Sequence, residues 1–230
     1  MRDSIAHVFF DLDHTLWDFE TNSRLAVGEL FDRFGVGRLT GAGEDEFHAV
    51  YARINEAFWE RYRLGTITKH ELRSGRFFDA LDHFGLRDAA LAEAMGTAYV
   101  DISPRKTALM DGAMEVLHYL GQRYELHIIT NGFEEVQHIK LESSGIRPFF
   151  SEVVTSERAG VRKPDPGIFR FAEQLTGAQR ERSLMIGDHL EADILGAQRA
   201  GWRAIHFDPG AQAAGEGHRI ASLRELTALL

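Results

Sequence analysis

Two aspartates stand close together near the start of the chain, Asp11 and Asp13. Short polar clusters recur downstream at Thr130-Asn131, Arg162-Lys163-Pro164 and Gly187-Asp188. Carboxylates that converge repel one another unless a cation sits among them. An oxygen-only donor set suits a hard ion such as Mg2+, which takes one or two carboxylates together with substrate phosphate. A threonine hydroxyl and a lysine ammonium both bind phosphoryl oxygens. A carboxylate can attack as a nucleophile and become an aspartyl-phosphate. A second carboxyl beside it can protonate a leaving oxygen and then activate water. Brought to one place, these residue types would transfer a phosphoryl group.

The elements that must bring them together are short apolar runs, most of which stop at such a cluster. His7-Val8-Phe9-Phe10 runs into Asp11, and Leu126-His127-Ile128-Ile129 into Thr130-Asn131-Gly132. Glu152-Val153-Val154 ends at Thr155-Ser156, Leu184-Met185-Ile186 at Gly187-Asp188, and Ala204-Ile205-His206-Phe207 at Asp208-Pro209. Runs this short and this apolar read as buried strands. Helical patterns separate the later ones. Asp165 is placed to cap a helix with Pro166 in its first turn; Ile168, Phe171, Ala172 and Leu175 follow at helical spacing, and Gly177 stops it. Ala192, Leu195 and Ala200 predict a second short helix closed by Gly201. Alternating strands and helices predict an α/β fold, a Rossmann-like parallel sheet covered on both faces, with ligands beyond the carboxyl ends of its strands.

The stretch from about Trp17 to Pro104 carries helical patterns and no strand. Val27, Leu30, Phe31 and Phe34 share one helical face, as do Phe47, Val50, Tyr51 and Ile54. Thr68 with Glu71 predicts a capping box, and Asp88 a further cap. Gly35-Val36-Gly37 and Gly41-Ala42-Gly43 predict a loop within this insertion, and the low-complexity patch Ala211–Gly217 a surface loop.

With 26 Lys and Arg against 35 Asp and Glu, the net charge is −9. That is the wrong sign for holding polymeric nucleic acid, although a nucleotide monomer in a local pocket is still allowed. Without cysteine there is no disulfide, thiolate nucleophile or Cys-ligated metal. The 11 histidines show no zinc-site spacing. No apolar run approaches a membrane span, and acidic residues interrupt the N-terminus before a signal peptide could build. The expected partner is a small molecule and the expected compartment cytoplasmic, with no membrane association. The oligomeric state is left open.

Asp11-Leu12-Asp13-His14-Thr15-Leu16, Thr130-Asn131-Gly132, Lys163-Pro164-Asp165-Pro166 and Gly187-Asp188-His189-Leu190-Glu191-Ala192-Asp193 together resemble the four ordered motifs of the haloacid dehalogenase-like (HAD) superfamily. The resemblance implies a catalytic core from residues 1–16 and 105–230 and a helical C1-type cap from residues 17–104. It implies that Asp11 is the nucleophile and a Mg2+ ligand, and that Asp13 is the general acid/base with its backbone carbonyl on the metal. Thr130, helped by the Asn131 backbone, and Lys163 would bind the phosphoryl group; Asp188 would complete the metal shell and Asp193 orient it. His14 departs from the family pattern, in which glycine is usual at that point.

Asp13 argues against a dehalogenase, since those relatives lack this carboxyl; phosphomutases share all four motifs and stay open. Phosphonate cleavage needs a cap lysine, and only Lys69 and Lys106 lie in or near the insertion. Trp59-Glu60-Arg61-Tyr62-Arg63-Leu64-Gly65-Thr66-Ile67-Thr68, Arg76-Phe77-Phe78 and Ile129-Thr130-Asn131-Gly132-Phe133 resemble bacterial nucleoside 5′-monophosphate phosphatases, including pyrimidine 5′-nucleotidases. The implied activity is Mg2+-dependent phosphomonoester hydrolysis. The alternatives are a sugar-phosphate or phosphoglycolate-type phosphatase, or a non-catalytic phosphometabolite-binding module.

Among the remaining residues, the helix-stripe aromatics read as core. Trp17 and Phe19 are candidates to line the cleft, and Trp59 and Tyr62 are weighed between core and substrate contact. Arg61, Arg63, Arg73 and Arg76 read as a solvated face, with one of them a candidate to reach the pocket. Asp101 and Asp111 read as cap or hinge residues.

Overall fold

A computed structural model describes residues 4–210 and 219–230; the expected loop at 211–217 lies outside them. The chain forms two compact units, Met1–Phe19 with Thr107–Leu230, and Glu20–Lys106.

In the first unit β1 (His7–Phe10) leads directly into Asp11. The chain then passes through five helices: α1 (Phe19–Phe34), α2 (Val36–Thr40), α3 (Glu44–Arg63), α4 (Lys69–His83) and α5 (Ala89–Ile102). All but the first residue of α1 belong to the second unit. Their apolar stripes close on one another around Val27, Leu30, Phe47, Tyr51, Phe77, Leu81, Met95 and Tyr99. The local signals act as read. Thr68 Oγ1 accepts from Glu71 N at 3.2 Å while Thr68 N donates to Glu71 Oε2 at 2.7 Å. Asp88 accepts from Leu91 N at 2.9 Å. The glycine-rich stretch is not all loop, because α2 forms between Gly35 and Gly41, both left-handed, with Val36 buried beneath it.

After Thr107 the first unit resumes with α6 (Ala113–Gly121), β2 (Glu125–Thr130), α7 (Glu134–Ser143), β3 (Glu152–Thr155), α8 (Ser156–Ala159) and α9 (Pro166–Thr176). It ends with β4 (Ser183–Gly187), a π-helical segment Leu190–Leu195, α10 (Gly196–Arg199), β5 (Arg203–Phe207), β6 (Arg219–Ile220) and α11 (Leu226–Leu229). The six strands form one sheet in the order β3-β2-β1-β4-β5-β6, and every pairing is parallel. Alternate side chains serve opposite faces, so an unbroken apolar strand feeds two cores. Val8, Phe10, Ile128 and Ile186 pack with α6 and α11 residues; Phe9, Ile129 and Met185 pack with Ile168, Phe169 and Trp202. Emptying one such site, Phe10→Ala for example, costs about 3–5 kcal/mol in comparable cores.

Register then does the positioning. Phe10 is level with Ile128 on one side and Ile186 on the other, so β1, β2 and β4 finish on one rim. Three details differ from the sequence reading. The helix expected at Ala192–Ala200 begins as a π-helical turn, and β6 is a two-residue strand too short to leave a pattern. The side chains of Asp101 and Asp111, expected at a helix cap or a hinge, pair with Arg105 and Arg224. Among the described residues no helix is long and apolar enough to cross a membrane.

The same register joins two histidines at the other end of the sheet, with Glu125 Oε2 3.8 Å from His7 Nδ1, a juxtaposition that their sequence spacing does not show. His7 Nδ1 and His127 Nε2 are 3.2 Å apart, and the His127 ring stacks on Phe9 at 4.6 Å. Burial, and then the neighbouring His7, push the His127 ring from 6.5 down to about 4. The unfolded chain takes up this proton below its ordinary value while the folded chain does not. Stability therefore falls as pH drops from 6.5 toward about 4. The urea midpoint of the wild-type chain is expected to fall more steeply between about pH 7 and about pH 5 than that of His127→Phe; parallel curves would contradict this.

Candidate active site

β1 delivers Asp11, whose backbone N–H extends the ladder by donating to Ile186 O at 2.9 Å. The chain then turns sharply. Leu16 N and Trp17 N both donate to Leu12 O at 2.9 Å, and His14 N donates to Trp17 O at 3.0 Å. The turn forces His14 to φ 62°, in the left-handed region. That geometry explains why glycine suits this position, and histidine is among the side chains that tolerate it best. The His14 ring lies 4.6 Å from that of Phe19.

Lys163 reaches the same rim from the loop before α9, and it is 2% exposed. Its ammonium donates to Asp11 Oδ1 at 2.6 Å and Ile129 O at 2.8 Å, and lies 2.6 Å from Asp193 Oδ1. Burial alone would lower its pKa, but the two carboxylates more than offset that and raise it. Asn131 clamps the Lys163 backbone from both sides, accepting from its N–H at 2.9 Å and donating to its carbonyl at 3.0 Å. The Asn131 side chain thus builds the lysine loop.

β4 ends in Gly187-Asp188. Asp188 Oδ1 accepts from Thr15 Oγ1 at 3.1 Å, and its carbonyl accepts from His206 Nε2 at 2.7 Å. The π-helical turn brings Asp193 back over Gly187 so closely that a Cβ there would lie 2.3 Å from Asp193 Oδ2. Only glycine leaves that space. Asp193 Oδ2 accepts from His189 N at 3.0 Å, and His189 Nδ1 caps the turn by accepting from Ala192 N at 3.2 Å.

Asp11, Asp188 and Asp193 each present an oxygen, and these oxygens lie within 4.8 Å of one another. Burial raises the Asp11 pKa well above the carboxylate range; Lys163 opposes this, and Asp193 and Asp188 add to it. Asp188 is raised by burial and then by Asp193. One ammonium among three carboxylates leaves negative charge in excess. An all-oxygen donor set in that state fits a hard divalent cation.

Asp13 faces elsewhere. Its Oδ1 is engaged by Lys140 and its Oδ2 accepts from Gln137 Nε2 at 2.8 Å, both from α7. Burial would raise this carboxyl, but the Lys140 ammonium, with hydrogen bonds from Lys140 and Gln137, holds it below its ordinary value. Gln137 Nε2 also donates to Thr130 Oγ1 at 3.2 Å, which accepts Gly132 N at 3.0 Å as well. With both acceptor positions of Thr130 used, its hydroxyl proton is left for another oxygen.

The rim therefore gathers Asp11, Lys163, Asp188 and Asp193, while Asp13 and Thr130 are joined through α7. Sequence reasoning missed Gln137 and Lys140. The available signal was two polar residues three apart on a helix that follows Thr130-Asn131-Gly132, and both are buried. Of the weighed residues, Trp17 and Tyr62 are buried; beside β3, Glu157 serves α7 by accepting from Glu134 N at 2.9 Å. Arg76 corrects the solvated-face reading: it is buried among Tyr51, Phe77 and Tyr99 and donates to Asn55 Oδ1 at 2.6 Å.

Comparison with known proteins agrees with this arrangement. Residues 5–201 match the model of the haloacid dehalogenase-like hydrolases. The chain is 34% identical to the pyrimidine 5′-nucleotidase YjjG of Escherichia coli over 97% of its own length and 96% of that protein's. It is 33% identical to the pyrimidine 5′-nucleotidase PynA of Streptococcus pneumoniae over 88% and 83% of the two chains. The crystal structure of the Bacillus subtilis HAD-hydrolase YfnB, bound to magnesium, superposes with a TM-score of 0.88 at 30% identity, covering 98% of each chain. By sequence and by architecture, this chain belongs to the haloacid dehalogenase-like hydrolase family.

Proposed function

We propose that this hydrolase cleaves phosphomonoesters with Mg2+ through an aspartyl-phosphate on Asp11, and that nucleoside 5′-monophosphates, pyrimidine ones first, are its substrates. The observation that carries the chemistry is the buried Asp11 carboxylate, with Lys163 at 2.6 Å and the Asp188 and Asp193 oxygens beside it. The substrate class is supported by the similarity to YjjG and PynA.

Asp11 and Asp188 would hold the ion with the Asp13 carbonyl, and the ion would supply positive charge to neutralise the phosphoryl oxygens. The nucleophilic oxygen of Asp11 attacks phosphorus and the ester P–O bond breaks. Asp13, which takes up a proton from solvent against the hold of Lys140 before this step, gives it to the departing oxygen. A water then loses a proton to Asp13 as it attacks the phosphorus of the aspartyl-phosphate, releasing inorganic phosphate and restoring the Asp11 carboxylate. Lys163 keeps Asp11 in place and opposes the negative charge of the transferring group. The unengaged proton of Thr130 donates to a phosphoryl oxygen. Such preorganised donors are the main source of rate in phosphoryl transfer. The helical unit, Glu20–Lys106, is read as the cap that excludes water.

Asp11→Asn is expected to lower phosphate release by at least about a thousand-fold while leaving the circular-dichroism spectrum unchanged. Release that persists would refute the nucleophile. Chelation should abolish activity and Mg2+ restore it.

A panel of UMP, dUMP, dTMP, purine monophosphates, phosphoglycolate and sugar phosphates is expected to give the highest kcat/KM with a pyrimidine nucleotide. A sugar phosphate at the top would overturn the substrate and keep the chemistry. An isomerised sugar phosphate in place of free phosphate would point to a mutase, and no turnover at all to a binding module.

A further inference from the structure

We propose that Lys140 and Gln137 of α7 are positioning residues for this reaction, together fixing where the Asp13 carboxylate points and tying it to Thr130. The inference rests on the reading of Asp13 as the general acid/base.

A carboxylate in a sharp turn has two side-chain torsions free, and an acid that serves first the ester oxygen and then a water needs a defined direction. Asp13 is held at both oxygens from a single rigid helix, Oδ1 by the Lys140 ammonium and Oδ2 by the Gln137 amide at 2.8 Å. Gln137 and Lys140 are three apart, which places them on one face of α7.

Gln137 does more than hold Asp13. An amide nitrogen carries two hydrogens, and here one goes to Asp13 and the other to Thr130 Oγ1 at 3.2 Å. One planar group therefore sets the separation between the acid/base and the phosphoryl-binding hydroxyl. The amide nitrogen faces Asp13, where a flipped amide would aim an oxygen at the carboxylate. That choice leaves Oε1 buried with no partner among the described residues, which marks the two donor contacts as dominant. Gly132 shows how closely the amide is seated. A Cβ at Gly132 would lie 1.5 Å from Gln137 Nε2, so the glycine of Thr130-Asn131-Gly132 makes room for this side chain.

Lys140 is 4% exposed. Its ammonium lies 4.1 Å from the centroid of the Trp17 ring and 5.7 Å from that of Phe19, and Asp13 is its carboxylate partner among the described residues. The aromatic faces hold the cation by its charge and confine it sideways. A buried ion pair is seldom worth more to stability than an apolar pair of the same size, so packing alone does not call for a lysine here. Trp17 and Phe19 shape the seat of the lysine that holds the acid.

The test separates positioning from folding by the leaving group. An alkyl ester such as UMP, or the best alkyl ester of the panel, needs a proton on its departing oxygen, whereas p-nitrophenyl phosphate does not. kcat/KM reports the transfer to Asp11. For Lys140→Met and Gln137→Met, kcat/KM on the alkyl ester is expected to fall about a hundred-fold, the scale of general acid catalysis. For Lys140→Met it should stay within about three-fold on p-nitrophenyl phosphate, the ester that needs no general acid; Gln137→Met, which also frees Thr130, should lose on both esters and more on the alkyl ester. Lys140→Arg should restore part of the loss, and urea midpoints identify any variant that fails to fold. Equal losses on both esters, or none, would overturn the proposal. Asp13→Asn is the reference. If it leaves the alkyl ester untouched, the reading of Asp13 fails; if it shows the leaving-group pattern while Lys140→Met and Gln137→Met behave as wild type, only the inference about α7 fails.

Discussion

The rim of the sheet depends on the buried ammonium of Lys163. It touches Asp11, Asp193 and a β2 carbonyl at once, so it ties together side chains and backbone from three chain segments that the sheet register brings to one rim. Removing one partner from a buried pair of this kind costs about 3–5 kcal/mol, since the surviving charge has no water to turn to. The lysine is in turn held by its backbone, between the two halves of the Asn131 amide. The β2 motif therefore contributes a hydroxyl from Thr130, a structural amide from Asn131 and an absence of side chain at Gly132. Each meets a different constraint within a few ångströms.

One ammonium is too little charge for the carboxylates around it. Asp11 and Asp188 are both pushed toward protonation by burial, and Asp193 adds to the push on each. The repulsion is concentrated where a doubly charged cation would relieve it, a common arrangement at functional sites. Asp13 shows the contrast. It is two residues along from Asp11, yet held by its own lysine and shifted in the opposite direction. The two environments set these nearby carboxyls apart, one pushed toward protonation and the other held ionised.

Steric fit accounts for two other motif residues. Gly187 is glycine because Asp193 closes onto it, and the π-helical turn is the backbone geometry that brings Asp193 there. The position of His14 is left-handed because three hydrogen bonds draw Trp17 and Leu16 back over Leu12 and His14. Such features carry local strain, and here they lie beside the carboxylate cluster.

Much of this was legible in the chain. The strand runs, the cap at Asp165, the capping box at Thr68 and the helical insertion depend on local spacing and nearest-neighbour hydrogen bonds, so they are written in consecutive residues. The order of the four motifs implied Asp11, Lys163 and Asp188 on a shared rim. What only the tertiary structure decided were contacts between residues far apart in sequence. Lys140 and Gln137 reach Asp13 from more than a hundred positions away, Arg76 sinks into an aromatic cluster, and His7 meets His127 across two strands. Spacing along a helix tells which residues share a face. Which face is buried, and against which charge, is set by packing, and packing is a property of the whole chain.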